Sequence, residues 1–205
     1  MGRHTSARCK LCRREGEKLF LKGERCYTDK CSYSRRSYPP GQHGQLKVRV
    51  TEYQIRLREK QKARRSYGLV ERQFANYFER ASQTKGATGE KLLELLERRL
   101  DNILYRLGFV TSRQAGRQMV RNGGVLVNTR KVNIPSYEMK IGDVVAIAPK
   151  ISKLAKEALE KFPDRITPAW LSLTGETEGK MLALPGRGDI ESSVAENLIV
   201  EYYSR

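Results

Sequence analysis

Apolar residues recur at helical spacing from about residue 52 to residue 120 and alternate with polar ones only in short runs after residue 124. The pattern predicts helices first and strands later. Residues 52–66, EYQIRLREKQKARRS, hold good helix formers with Tyr53 and Leu57 one turn apart and basic residues on several faces. One face can pack while another meets phosphates. Val70, Phe74, Phe78 and Ala81 predict a second, near-neutral helix whose aromatic residues supply core rather than stack on bases. After the breaker SQTKGATG, Leu92, Leu93, Leu96, Leu100, Ile103, Leu104 and Leu107 form one long stripe, and Gly108 suits its C-terminal cap.

Thr111 with Gln114 three residues on fits a capping box, opening a short helix through Val120 that stops at Asn122-Gly123-Gly124. Residues 125–128, 132–134 and 144–148 read as strands, with Gly142-Asp143 turning into the last. Ser152 suits the cap of a further helix in which Leu154, Ala155, Ala158, Leu159 and Phe162 share a face. Beyond Pro163, residues 170–173, 181–184 and 198–203 are strand-like, and no repeat of fixed period is present. The first 45 residues have little periodicity, and Tyr38-Pro39-Pro40-Gly41-Gln42-His43-Gly44 excludes a regular element there. That extension is ordered only if something staples it.

Composition narrows the partner. The 205 residues are 39% hydrophobic and 31% charged, enough for packed cores under a heavily charged surface. The net charge of +17 exceeds what solubility needs; fields of this size serve to neutralise phosphates and release their counterions. No run approaches the roughly 18 apolar residues of a spanning helix, and neither an apolar leader core nor a convincing lipidation motif opens the chain, so a cytoplasmic protein without a membrane partner is expected. The charge is segregated: residues 1–66 carry 19 Lys and Arg against 6 acids and residues 98–150 carry 10 against 3, while residues 67–97 and 151–205 are slightly acidic. Solvating charge intersperses both signs, so two basic surfaces are expected, and the acidic C-terminal segment is expected to pack. Arg113, Arg117 and Arg121 recur every four residues on one helix face, a row suited to phosphates.

All four cysteines, Cys9, Cys12, Cys26 and Cys31, fall in the extension as C-x2-C-x13-C-x4-C. The first pair has the knuckle spacing that puts two thiolates on one ion, and the second completes a closed, structural tetrahedral site. Zinc is the favoured ion; an iron–sulfur cluster has the same spacing, two disulfides are disfavoured by a cytosolic setting, and free thiols are the remaining alternative. A metal would stand in for the apolar core that a Lys-rich stretch lacks, and nearby cations would offset its thiolate charge. His4 and His43 are spare imidazoles, and His43 is assigned instead to the Pro-Gly loop.

Taken in order, several motifs carry a resemblance nearly end to end: Tyr38 to Gly44, Leu57-Arg58-Glu59-Lys60-Gln61-Lys62, Arg99-Leu100-Asp101-Asn102, Tyr105-Arg106-Leu107-Gly108, Ser112-Arg113, Pro135-Ser136-Tyr137 and Glu201-Tyr202-Tyr203-Ser204-Arg205. The chain resembles the bacterial-type ribosomal S-four family, in the variant that keeps its cysteines and zinc. The resemblance implies an α+β fold: a zinc-stapled extension over 1–45, a helical lobe over 46–97 completed by 162–205, and an inserted small α/β RNA-binding module over 98–161. It implies binding to the 5′ domain of small-subunit ribosomal RNA early in assembly. It also implies neighbouring small-subunit proteins, the channel where messenger RNA enters, and an effect on decoding accuracy. Two positions depart from the family pattern. Gly116 stands where Ala is usual, at about 1 kcal/mol of helix propensity, and Thr129 stands where a tight hairpin turn usually has Gly.

The expected RNA contacts are therefore Arg35, Arg36, His43, Lys47, Arg49, Arg58, Lys62, Arg64 and Arg65 at the N-terminal surface, with Arg113, Arg117 and Arg121 at the second. Recognition would be mostly of shape and backbone. The same module occurs in pseudouridine synthases and tyrosyl-tRNA synthetases, so an RNA enzyme is one rival. Asp101 is read as a helix-surface acid or ion-pair partner, and no G-x-S-x-G, H-E-x-x-H or Walker motif proposes a reaction or a small-molecule substrate. A zinc-bearing DNA regulator is the other, and it lacks a recognition helix after the cysteine pairs.

Overall fold

In the computed structural model, which describes residues 4–46, 49–162, 165–190 and 193–204, the cysteine-rich extension carries two short helices, α1 (Cys9–Glu15) and α2 (Ser32–Arg35). Gly16 ends α1 in the left-handed conformation, and the Tyr33 hydroxyl donates back to its carbonyl. Cys12, Leu19 and Leu21 form a miniature core flanked by Leu11 and Tyr33. The Pro-Gly loop is tied to α1 through Arg13, whose guanidinium donates to the Tyr38 and Pro39 carbonyls and lies 4.9 Å over the Tyr38 ring.

The chain divides into two compact units, Met1–Leu92 with Ser192–Arg205, and Leu93–Glu191. In the first, α3 (Glu52–Ser66) opens on a reciprocal capping box between Thr51 and Gln54, and α4 (Glu71–Ser82) buries Phe74, Tyr77 and Ala81. Residues 198–203, expected as a strand, instead lie in a helix, α9 (Glu196–Tyr203). A short apolar run fits either period, and burial decides between them. As a helix it buries Ile199 and lays Tyr203 on Phe78 and Phe74, at 4.4 and 6.4 Å between ring centres.

The Leu-rich stripe is not one helix but two, α5 (Thr88–Glu97) and α6 (Leu100–Arg106). Arg99 is extended between them (φ −67°, ψ 136°) and bridges Glu138 in strand fashion. The loop around Tyr137 takes over the missing helical bonds. Leu100 N–H donates to Tyr137 O, Asp101 N–H to Pro135 O, and Met139 N–H to Arg98 O. Apolar periodicity alone does not register such a break, because Leu96 and Leu100 stay on one face. Ser112, not Thr111, caps α7 (Arg113–Arg121) by accepting the Ala115 N–H.

Strands β1 (Val125–Val127), β2 (Arg130–Lys131) and β3 (Val144–Ile147) precede α8 (Ser152–Lys161); β4 (Leu171–Gly175) and β5 (Glu178–Met181) follow it. All pair antiparallel in the order β2-β1-β3-β5-β4. Two expectations change here. Ser152 is inside α8 rather than its cap, and its hydroxyl donates to Pro149 O. The segment after 161 was expected to complete the helical lobe, yet residues 171–181 extend the sheet of the second unit, with Val145 beside Gly179. The reason is burial: Trp170, Leu171 and Met181 join Leu104, Phe109 and Ile147 in that unit's core. The architecture is α+β, a helical unit and a unit of helices on an antiparallel sheet.

The β1–β2 turn places both Asn128 (φ 49°) and Thr129 (φ 68°) in the left-handed region. The hairpin geometry wins over the β-branched side chain because Asn128 is anchored. Its amide donates to Asp143 Oδ1 at 2.8 Å and its oxygen accepts the Val144 N–H at 3.0 Å.

Candidate nucleic-acid interface

Helix α3 carries the densest run of cations, and they are largely engaged within the chain. Arg58 and Arg65 both pair with Glu15, whose side chain is fully buried. Lys62 is buried against Glu59 at 2.7 Å and Glu17 at 3.3 Å and donates to Ser193 O. Lys60 and Arg64 share Glu71, at 2.6 and 3.5 Å, and Arg56 bonds Glu201 and Glu52. Burial raises the Glu15 carboxyl and lowers Arg65, against their mutual attraction. Two guanidinium groups on one carboxylate favour the ionised pair over either neutral partner. Of the expected contacts on α3, Arg58, Lys62, Arg64 and Arg65 are thus structural ion-pair partners first.

The second unit internalises its cations further. Arg99, fully buried, grips Asp101 with Nε at 3.0 Å and a terminal nitrogen at 2.7 Å. Arg106 grips buried Glu97 in the same forked way, at 2.9 and 2.8 Å. Asn102 donates to Glu97 and accepts Arg113 Nε at 2.7 Å. The guanidinium groups of Arg113 and Arg165 both lie over the Tyr105 ring, 4.6 and 4.1 Å from its centre. Arg117, 7% exposed, faces Asp101 at 3.7 Å. Of the expected row of three phosphate-binding arginines on α7, Arg113 and Arg117 face the acids of α5 and α6, at 3.9 Å from Glu97 and 3.7 Å from Asp101, and Arg121 is the exposed member. Asp101 is the ion-pair partner and lies in the core, not on the helix surface.

The α6–α7 approach is so close that a Cβ on Gly116 would stand 2.7 Å from the Asp101 carbonyl oxygen. Gly116 is thus an accommodation to this contact, not a mere loss of helix propensity.

Exposed positive charge lies elsewhere. In the first unit Lys10, Arg14, Lys22, Arg25, Lys30, Arg35 and Arg36 are exposed on the cysteine-rich extension, followed by His43 and Arg49. Lys47 lies outside the described residues. In the second unit Arg121, Arg130, Lys131, Lys140, Lys150 and Lys153 are exposed. Lys10, Arg14, Lys22, Arg25 and Lys30 are not among the expected contacts, because the extension has too little period to show which face they share; their concentration between the cysteines is the signal in the sequence.

Cys12, Cys26 and Cys31 are buried, Cys9 is half-buried, and none is in a disulfide. Among the described residues no three His, Cys, Asp or Glu side chains converge as a ligand set. The donor chemistry nonetheless suits a cation: Lys22 N–H donates to Cys26 Sγ at 3.4 Å. Burial raises the Cys12 and Cys26 thiols, opposed by the Leu19 and Lys22 N–H groups. At Cys31 burial is outweighed by the N–H groups of Ser34 and Tyr33, which hold the thiol below its usual value. Backbone amides aimed at sulfur stabilise thiolate, the form that binds metal.

Residues 3–97 match the family described as ribosomal protein S4/S9 N-terminal domain, and residues 98–145 match the S4 domain. Curated relatives align over the whole of both chains. They are small ribosomal subunit protein uS4 of Solidesulfovibrio magneticus, 53% identical, of Desulforamulus reducens, 56%, and of Dictyoglomus turgidum, 54%. The matched family models define a ribosomal class of protein. Within it, the chain belongs to the uS4 family of the small subunit.

Proposed function

We propose that the chain is a structural constituent of the small ribosomal subunit, resident on cytoplasmic ribosomes, and not an enzyme. It binds small-subunit ribosomal RNA and neighbouring subunit proteins. The observation that carries this reading is family membership over the full length, joined to two groups of exposed cations besides the ion-paired ones. The finer reading is a primary binder of the 5′ domain that acts early in assembly and bears on decoding near the messenger channel. Exposed Arg35, Arg36, His43, Arg49 and Arg121 are the leading contacts of those expected, with the extension's further cations beside them. The test is binding of the full chain to a 5′-domain transcript against duplex DNA over a salt series. Preference for the transcript with a steep salt slope is expected; preference for duplex DNA would overturn the reading.

The extension belongs to the cysteine-bearing variant and holds one structural zinc on Cys9, Cys12, Cys26 and Cys31. Bound there, the ion would supply a closed cross-link and no chemistry on substrate. The buried thiols and the amide donors to sulfur support this, and an iron–sulfur cluster is the alternative. Elemental analysis of protein made without added zinc should find about one equivalent of zinc. Iron in its place would transfer the site to a cluster, and neither metal would leave thiols or disulfides.

A further inference from the structure

The turn between Cys26 and Cys31 presents an aromatic side chain in a basic surround that none of the expected contacts includes. Tyr27 is 56% exposed, whereas Leu19 and Leu21 of the same extension are buried. Its ring leans on Phe20 at 5.0 Å between centres, with 32° between the planes. Phe20 holds φ at 49°, a left-handed conformation unfavourable for an aromatic residue. Such strain persists where the surrounding structure over-determines it. Here it sets one ring behind another.

The turn itself is stiffened. Tyr27 N–H donates to Glu24 O, the Thr28 hydroxyl to Arg25 O, and Cys31 N–H to Thr28 O. Arg25 Nε donates to Lys30 O at 3.3 Å and Arg35 Nε to Asp29 O at 3.0 Å, so both guanidinium groups are held at the turn while the residues remain exposed. Lys22 and Lys30 are exposed in the same segment, against Glu24 and Asp29.

An exposed ring leaves apolar surface in water, and Tyr27 is not a member of the miniature core of Cys12, Leu19 and Leu21. An aromatic platform backed by a second ring and bordered by cations matches the way proteins take up unpaired nucleotides: the base stacks and the cations meet its backbone. We infer that Tyr27 is a base-stacking contact for an unpaired nucleotide of small-subunit ribosomal RNA, with Phe20 as its backing and Arg25 and Lys30 at the flanking phosphates. The inference rests on the RNA-binding reading above and adds to it a contact that charge does not provide.

Stacking and charge respond differently to salt, and this separates them. Full-chain Tyr27→Leu should bind the 5′-domain transcript about tenfold or more weakly with an unchanged salt slope. Tyr27→Trp should keep parental affinity. The native Trp170 is buried, so the added indole reports separately, and its emission should be quenched on adding transcript. Quenching does not depend on the Leu variant keeping its fold. Parental binding by Tyr27→Leu, or an emission from Tyr27→Trp that the transcript leaves unchanged, would overturn the stacking contact. A parent chain that fails to bind the transcript would instead overturn the RNA-binding reading itself.

Discussion

Arg117 of α7 directs its guanidinium at the Asp101 carboxylate of α6, 3.7 Å away, and both side chains are buried. Reversing the charge at 117 would set two buried carboxylates against each other. Removing one partner of such a pair costs about 3–5 kcal/mol. Arg117→Glu should therefore lower the denaturation midpoint of the second unit sharply. Arg121→Glu, at the exposed end of the same helix, should leave melting unchanged and reduce the slope of log affinity against log salt by about one. If Arg117→Glu melts like the parent and loses only RNA affinity, the side chain works at the surface after all.

Gly116→Ala improves helix propensity by about 1 kcal/mol on paper. The added methyl would meet the Asp101 carbonyl at 2.7 Å, and a backbone oxygen cannot swing aside as a side chain can. Overpacking of this kind costs about 1–3 kcal/mol, so net destabilisation is expected in urea unfolding. Greater stability of the Gly116→Ala chain would mean that α6 and α7 separate freely.

Thr129 is a β-branched residue at φ 68°, where a left-handed L-residue costs roughly 1–2 kcal/mol. Thr129→Gly relieves this, though it also frees the unfolded chain. A gain of about 1 kcal/mol in unfolding free energy is expected, with no change in RNA affinity. A loss would place the value of Thr129 in contacts of its hydroxyl.

Glu71 accepts Lys60 Nζ at 2.6 Å and the Tyr203 hydroxyl at 3.0 Å. Burial alone would raise its pKa, but Lys60, Tyr203 and Arg64 outweigh burial and hold the carboxyl below the ordinary 4.5. The folded state then binds fewer protons than the unfolded one just below that value, so stability rises with pH across the window. The contribution is complete above about pH 4.5 and disappears as pH falls through the depressed value. Glu71→Gln should show a shallower loss of stability on acidification, read from chemical denaturation at stepped pH. An unchanged acid limb would remove Glu71 from the account.

Much of the fold is legible in the residues alone. The helices of 52–66 and 113–121, the turn after Asn122 and the strands at 125 and 144 follow from local period and capping, which depend on near neighbours. What was hidden depends on distant ones. The ion pairs of Arg58 and Arg65 do not show in the local sequence because Glu15 lies more than forty residues earlier, nor does that of Arg117 because Asp101 sits on another helix. The break at Arg99 was invisible because the Tyr137 loop, not the sequence around Arg99, supplies its hydrogen bonds. Thr129 was the converse case. Its departure from the usual residue put the tight turn in question, yet anchoring by Asp143 kept both turn residues at positive φ.

The sheet order also bears on how the second unit is made. β3 takes β1 on one side and β5 on the other, but β5 is synthesised only after α8. Until then Val144, Val145, Ala146 and Ile147 form an open edge, an apolar strand with unpaired amides of the sort that recruits foreign strands. A nascent chain is therefore vulnerable from the moment β1 and β3 join until the β4–β5 hairpin arrives. A fragment ending with α8 should aggregate where the whole protein does not.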